Sequence, residues 1–432
     1  MVKFKNLLPK NGGGFVFLRM RIPAGGNQMK KLLAAYLFFL MIIWGYFLFF
    51  YPLETYGSSN YAAMAHSMYF SKLPLEWLLL YTIIKKGWSM VWMEHIERFT
   101  GRLWLKTLLF SLLLTVAYQF VRLPFNVIWF AISRREGTSN QTVGNWFYEL
   151  GLDSLFFWLV LAACIYAALV LMARFKNWWF GLWLLALPAA VFVVYIQPVW
   201  IDPLYEDFTA MDPGPLRTAI EDLTEKAGLK DATLLQVDMS EKTTTFNAYV
   251  TGIMGNARIV LWDTTLEGMP QDEVLFILSH EIGHYVKHHV YIGVAGYLLL
   301  SLLLLYAGAL LYRVVCKNVL TKQSSSRWND LRAVPILLLI FSLLLTAAQP
   351  LSLAVSRQIE ASADRYAVEK SDSDQLRAGI SSFRRMAEQS KSDVNPAFWI
   401  KWLRYSHPSI QERINRIEKE LTERETNSGS SS

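Results

Sequence analysis

Residues 274–289 read VLFILSHEIGHYVKHH and contain His280-Glu281-Ile282-Gly283-His284, an HExxH motif. At 3.6 residues per turn His280 and His284 project from one helix face. Both imidazoles can then reach a single cation, with Glu281 beside its open coordination position. Zinc lowers the pKa of a bound water to about 7, and a neighbouring carboxylate can take the proton as that water attacks a carbonyl. Such chemistry hydrolyses peptide bonds, with Glu281 as general base. An amphipathic helix with incidental, solvated histidines is the bland alternative. The context favours the metal site: Val274, Leu275, Ile277, Leu278, Ile282 and Val286 recur at helical spacing, and four of the seven histidines fall in this stretch.

The 432 residues are 53% hydrophobic and 14% aromatic, and the mean hydropathy is +0.26. That exceeds what a soluble domain needs for its core, so the chain reads as a multi-pass protein of the cell membrane. Only two cysteines occur, Cys164 and Cys316, so no disulfide framework is indicated and any zinc ligands must be His and carboxylate. The net charge of +7 comes from Lys and Arg beside apolar runs, where they act as topology determinants, which argues against a nucleic-acid partner. Seven basic residues precede the first apolar run, and no small-residue cleavage site follows it. That run therefore reads as an uncleaved membrane helix.

Residues 1–29 form a basic, Gly-containing lead, and residues 30–200 an N-terminal transmembrane domain. Its expected spans are 32–51, 75–93, 103–121, 155–172 and 178–199. The second is irregular, because Lys85 and Lys86 sit near its middle. After Trp200 an acidic, Pro-rich segment marks a boundary, and residues 201–420 read as a zinc-peptidase domain. A helix is expected over 215–227 and strands over 233–239, 243–251 and 257–262. Two further spans, about 292–312 and 333–355, interrupt this domain, giving about seven in all. Residues 421–432, ending in a Ser-rich run, are expected to be a disordered tail.

A zinc site with two histidines needs a third protein ligand, and the candidate is Glu360 in SRQIEASAD, residues 356–364. Asp364, one turn on, shares its face and could accept the outer N–H of a zinc histidine. Spacing alone leaves an exposed acidic helix equally open. Arg413 and Arg416 lie on a later helix and either could pair with Asp364, although a solvated surface is the favoured reading for both.

From about residue 123 to 417 the sequence resembles the type 1 CAAX prenyl protease family of integral-membrane zinc metallopeptidases. The resemblance rests on Ser139-Asn140-Gln141-Thr142, the acidic lead-in before Pro215-Leu216-Arg217, and Phe246-Asn247-Ala248-Tyr249. It rests further on RIVLWDT at 258–264, the SHEIGH core, the ExxxAD ending at Asp364, and Ser406-His407-Pro408. It implies one zinc ion per chain on His280, His284 and Glu360, with Glu281 as base and His407 steadying the oxyanion. It also implies that Asn247, Ala248 and Tyr249 offer a strand edge to the substrate.

The expected protein is thus a polytopic α-helical membrane protein carrying a mixed α/β, gluzincin-like zinc metallopeptidase domain. Its expected activity is endopeptidase hydrolysis of membrane-associated or prenylated-type substrates. A quality-control protease for membrane proteins is the alternative enzyme, and a zinc-binding membrane scaffold without turnover the alternative from another class. Its partners are a peptide or protein substrate and the lipid bilayer. Seven spans with a basic interior loop place the zinc domain outside, whereas the resemblance implies a cytosolic face, so sidedness stays open.

Overall fold

The computed structural model describes residues 26–252, 257–320 and 329–429. The chain divides into two compact units, Met1–Ile42 and Ile43–Ser432. Of the basic lead, residues 1–25 lie outside the described residues. The described part of the first unit is the start of α1 (Gly26–Phe49).

In the second unit the membrane-type helices come first: α2 (Tyr61–Lys72), α3 (Leu75–Lys86), α4 (Trp88–Phe99), α5 (Leu103–Arg135), α6 (Val143–Arg174) and α7 (Trp178–Tyr195). Among the described residues five helices are long and apolar enough to cross a membrane: Gln28–Phe49, Leu103–Arg135, Val143–Arg174, His289–Lys317 and Leu331–Lys370. The stretch 75–93, expected as one span, is broken into α3 and α4. Gly87 takes a left-handed conformation (φ 66°) and caps α3. Lys85 and Lys86 occupy the last turn of α3, where the helix dipole favours cations. The expected span 178–199 ends its α-helical part at Tyr195.

The acidic lead-in carries a strand that its prolines concealed, β1 (Phe208–Ala210). Then follow α8 (Pro215–Lys226), β2 (Thr233–Val237), β3 (Ala248–Thr251), β4 (Arg258–Trp262), α9 (Asp263–Gly268) and α10 (Gln271–Val286). The sheet order is β1-β2-β4-β3, with β2 and β4 parallel and both outer strands antiparallel to their neighbours. Residues 243–247, expected as strand, instead bond to one another and across to the loop between α5 and α6. Thr245 N–H donates to Thr243 Oγ1, and Thr243 Oγ1 donates to Thr138 O. The loop Ser139–Thr142 is thereby strapped to the soluble domain, with Asn140 N–H donating to Lys242 O.

The chain continues through α11 (His289–Leu320), α12 (Val334–Lys370), α13 (Ser373–Ser390), α14 (Phe398–Arg404) and α15 (Ile410–Gly429). The tail expected to be disordered from residue 421 is helical up to Gly429, because α15 buries Ile414, Ile417 and Leu421 against Phe276, Leu376 and Phe383. The 37 residues of α12 span about 55 Å, against about 30 Å of hydrocarbon. This helix therefore outruns a bilayer, and its polar C-terminal end carries Glu360 and Asp364.

Helix α10 lies between two cores. Val274, Ile277 and Leu278 pack with Ala248, Ile259 and Leu261 of the sheet and Ile220 of α8, while Phe276 packs among α12, α13 and α15. Its first turn is tied to α13 by Glu273, which accepts from Arg385 Nε and Nη2 at 2.8 and 3.1 Å. Truncating such a buried side chain, Leu278 for instance, costs about 2–5 kcal/mol, which is how the cores hold the motif helix rigid.

Candidate metal centre

With α10 buried on two sides, His280 and His284 face the polar end of α12. Gly283 permits the approach: a Cβ there would meet Tyr366 Cδ1 at 3.0 Å and the Ala363 carbonyl oxygen at 3.3 Å. Glu360 then stands opposite the histidines. Its Oε2 lies 3.3 Å from His280 Nε2 and 3.6 Å from His284 Nε2, and the two Nε2 atoms are 3.1 Å apart. Ligand atoms 2.0–2.1 Å from one ion at tetrahedral angles are separated by about 3.3 Å, so this spacing fits a tetrahedral zinc. Glu360 Oε2 is also a buried oxygen with no hydrogen-bond donor among the described residues. Two imidazole lone pairs and an orphaned carboxylate oxygen converging on one point suit a cation. These three residues could hold the metal.

The outer nitrogen of His280 is held by Asp364, whose Oδ1 is 2.9 Å from Nδ1. This keeps the Nδ1–H tautomer and leaves Nε2 free to ligate. Asp364 is itself clasped by Arg413, which donates from Nη2 at 2.6 Å and from Nε at 3.1 Å to both oxygens. Arg413 is buried and lies over the Phe383 ring, 4.0 Å from its centroid. The solvated surface expected for Arg413 is therefore incorrect. Positions 413, 417 and 421 follow the i, i+4, i+8 spacing of the buried face of α15, a signal the sequence carried. Arg416 is half-exposed and 3.6 Å from Asp364.

Charge in the centre is weighted toward a cation. Burial disfavours a proton on His280, yet the adjacent carboxylates of Asp364 and Glu360 outweigh it and raise its pKa to about 9. Glu281 sits beside His280, Oε1 to Nε2 3.9 Å, and burial pushes its carboxyl up. A carboxyl whose pKa is raised binds a proton more readily, which suits proton abstraction.

His407 comes from the loop after α14, which Arg357 of α12 anchors by donating from Nη1 to the carbonyls of Lys401 and Tyr405 at 2.9 and 2.8 Å. Its Nε2 is 3.2 Å from Glu360 Oε2, its Nδ1 is 2.9 Å from Ser406 Oγ, and its ring is half-exposed. The structure thus brings His280, Glu281, His284, Glu360, Asp364 and His407 together from three separated segments.

Asn247, Ala248 and Tyr249 lie at the sheet, beside α10. Strand β3 is the sheet edge and packs beside α10. Asn247 precedes the strand, and its main chain is engaged: N–H donates to Thr265 Oγ1 at 2.8 Å, and O accepts from Trp262 N–H at 3.1 Å. Because Ala248 opposes Leu261 and the ladder bond runs from Trp262 to Asn247, the alternation turns the N–H and C=O of Ala248 outward. Tyr249 points its own main chain at Val260 of β4. A cavity of about 520 Å³ lined by Gly252, His284, Tyr285, His288 and Tyr291 opens where β3 ends.

Two family profiles match the chain: Peptidase family M48 over residues 212–421, and CAAX prenyl protease N-terminal, five membrane helices, over residues 52–207. The chain is 38% identical to the uncharacterized metalloprotease YhfN of Bacillus subtilis (strain 168) over 373 residues, 85% of this chain and 86% of that protein. It is 30% identical to the CAAX prenyl protease 1 homolog of Oryza sativa subsp. japonica over 323 residues, 73% of each. The crystal structure of S. mikatae Ste24p matches with a TM-score of 0.74 at 20% identity, covering 89% of this chain and 96% of that one, a likeness of fold.

Proposed function

The chain belongs to peptidase family M48, among the type 1 CAAX proteases, and from that premise we propose that His280, His284 and Glu360 hold one zinc ion for peptide hydrolysis. Membership makes it a multi-pass membrane metalloprotease, which sets aside the scaffold without turnover. The convergence of two Nε2 atoms on the orphaned Glu360 Oε2 carries the assignment of ligands.

When bound, zinc supplies a Lewis acid that acidifies water and polarises the scissile carbonyl. Glu281 takes the proton of the attacking water on its carboxylate and returns it to the leaving amine. His407, exposed toward the site, donates a hydrogen bond from its ring to the oxyanion. Asp364, itself fixed by Arg413, holds His280 in the ligating tautomer. The substrate lies extended against β3, taking the outward N–H and C=O of Ala248 as its first main-chain partners.

The domain reading is a transmembrane part over residues 30–200 and a gluzincin-like peptidase over residues 201–420, interrupted by α11 and the apolar part of α12. About seven crossings result if α7 and the α3–α4 pair are added to the five long helices. The substrate class we infer is membrane-associated peptide, with prenylated-type C-termini suggested by the names of the CAAX prenyl protease 1 relatives. The cell membrane is the inferred location.

The deciding variant is Glu281→Gln, which nearly preserves side-chain size. It should keep zinc, fold and insertion while lowering kcat by about 10²- to 10⁴-fold. Zinc content, thermal unfolding and cleavage of a prenylated and an unprenylated peptide, measured side by side, test it. Wild-type turnover in the variant would remove Glu281 from the base's role.

A further inference from the structure

Two of the four histidines in the motif stretch, His288 and His289, are not accounted for by the metal centre. On a continuous helix, residues five apart are rotated by about 140°, so His289 would face away from His284. The helix is not continuous. It ends at Val286, and His288 takes a left-handed conformation (φ 57°), rare for a residue with a Cβ. Its N–H donates to Tyr285 O at 3.0 Å, and its carbonyl starts α11 by accepting from Tyr291 and Ile292. The effect of this turn is to fold the first residue of α11 back over the last turn of α10. His289 is there buried, 6% exposed. Its Nδ1 lies 3.2 Å from Nδ1 of His284, the rings near perpendicular at 78° with centroids 4.9 Å apart.

Resting on the ligand assignment above, we propose that His289 is the positioning residue for His284, as Asp364 is for His280. Since Nε2 of His284 presents its lone pair toward Glu360, its proton resides on Nδ1 and is donated to the unprotonated Nδ1 of His289. That bond fixes both the tautomer and the ring plane of the second ligand. The two ligands are thus supported unequally, one by a carboxylate and one by a neutral imidazole. The neutral partner orients His284 without adding a further negative charge to a centre that already contains Glu281, Glu360 and Asp364. The left-handed turn at His288 is the local strain that delivers it.

Such partners are typically worth 10- to 100-fold in metal affinity. The test is zinc affinity by chelator competition, with the visible spectrum of the cobalt-substituted protein, on full-length wild type, His289→Ala and His289→Asn. Asparagine Oδ1 can take the place of the imidazole Nδ1 as acceptor. The proposal expects zinc affinity to fall at least tenfold in His289→Ala. It expects restoration to within about threefold of wild type in His289→Asn, with an unchanged cobalt spectrum in both. Equal affinities in wild type and His289→Ala overturn it. So does a changed cobalt spectrum in His289→Asn, which would make His289 a direct ligand, or a failure of His289→Asn to recover affinity. If wild type itself binds neither zinc nor cobalt, the assignment of His280, His284 and Glu360 falls first, and the role of His289 falls with it.

Discussion

Replacing Gly283 by Ala should weaken metal binding even though no ligand is touched. The added Cβ would stand 3.0 Å from Tyr366 Cδ1, 3.1 Å from Tyr366 Cβ and 3.3 Å from the Ala363 carbonyl oxygen. The carbon contacts are about 0.5 Å short of the 3.5–4.0 Å optimum. Two of the three atoms belong to the backbone of α12 or the root of a side chain, and Tyr366 and Ala363 are both buried. Neither can swing aside, so the helices must part by a few tenths of an ångström. Ala gains about 1 kcal/mol in helix propensity over Gly, and overpacking costs about 1–3 kcal/mol, leaving about 0–2 kcal/mol of destabilisation. The metal feels more than this, because the same displacement pulls the α10 histidines from Glu360 of α12, and ligand distances tolerate only about 0.2 Å. A loss of about tenfold or more in zinc affinity is expected, with a modest fall in Tm of the metal-free protein. Tyr366→Ala in the same chain removes the 3.0 Å contact but leaves the other two, and should restore affinity only in part. Chelator competition and thermal unfolding on the three proteins decide it. A Gly283→Ala protein with unchanged affinity and a raised Tm would refute the close-packing argument.

Glu360→Ala should lose zinc, whereas Asp364→Asn should retain most of the metal but lose much of its activity; metal analysis of the purified variants separates ligand from orienting partner, and full occupancy in Glu360→Ala would exclude Glu360 from the centre. Ala248→Pro removes an outward donor without breaking a ladder bond, so KM on a cleaved peptide should rise while the fold survives, and an unchanged KM would place the substrate elsewhere. In metal-free protein the His280 pKa, raised from 6.5 to about 9, makes its protonation stabilising below pH 6.5 and progressively lost as pH rises through about 9. The Tm of apo protein should decline across that window, and a slope no different in His280→Gln would show that another group controls it.

The motif helix, its buried spacing and the shared face of His280 and His284 could be read directly from residues 274–289, because i, i+4 geometry is local and a helix transmits it without help from the rest of the chain. The ExxxAD segment was readable for the same reason, as were the long apolar helices, whose length answers to bilayer thickness. Lys85 and Lys86 hinted at the break in the second span, but the left-handed cap at Gly87 that ends α3 is a backbone conformation, and Gly permits it without requiring it. The strand edge needed the tertiary structure, since which main-chain groups of β3 point outward follows from its register against β4. The same holds for Arg413, whose value depends on Asp364 arriving from a helix 49 residues away in sequence. His289 is the sharpest case. Its spacing from His284 argues against contact on any regular helix, and only the left-handed turn at His288, held between α10 and α11, brings the two rings together.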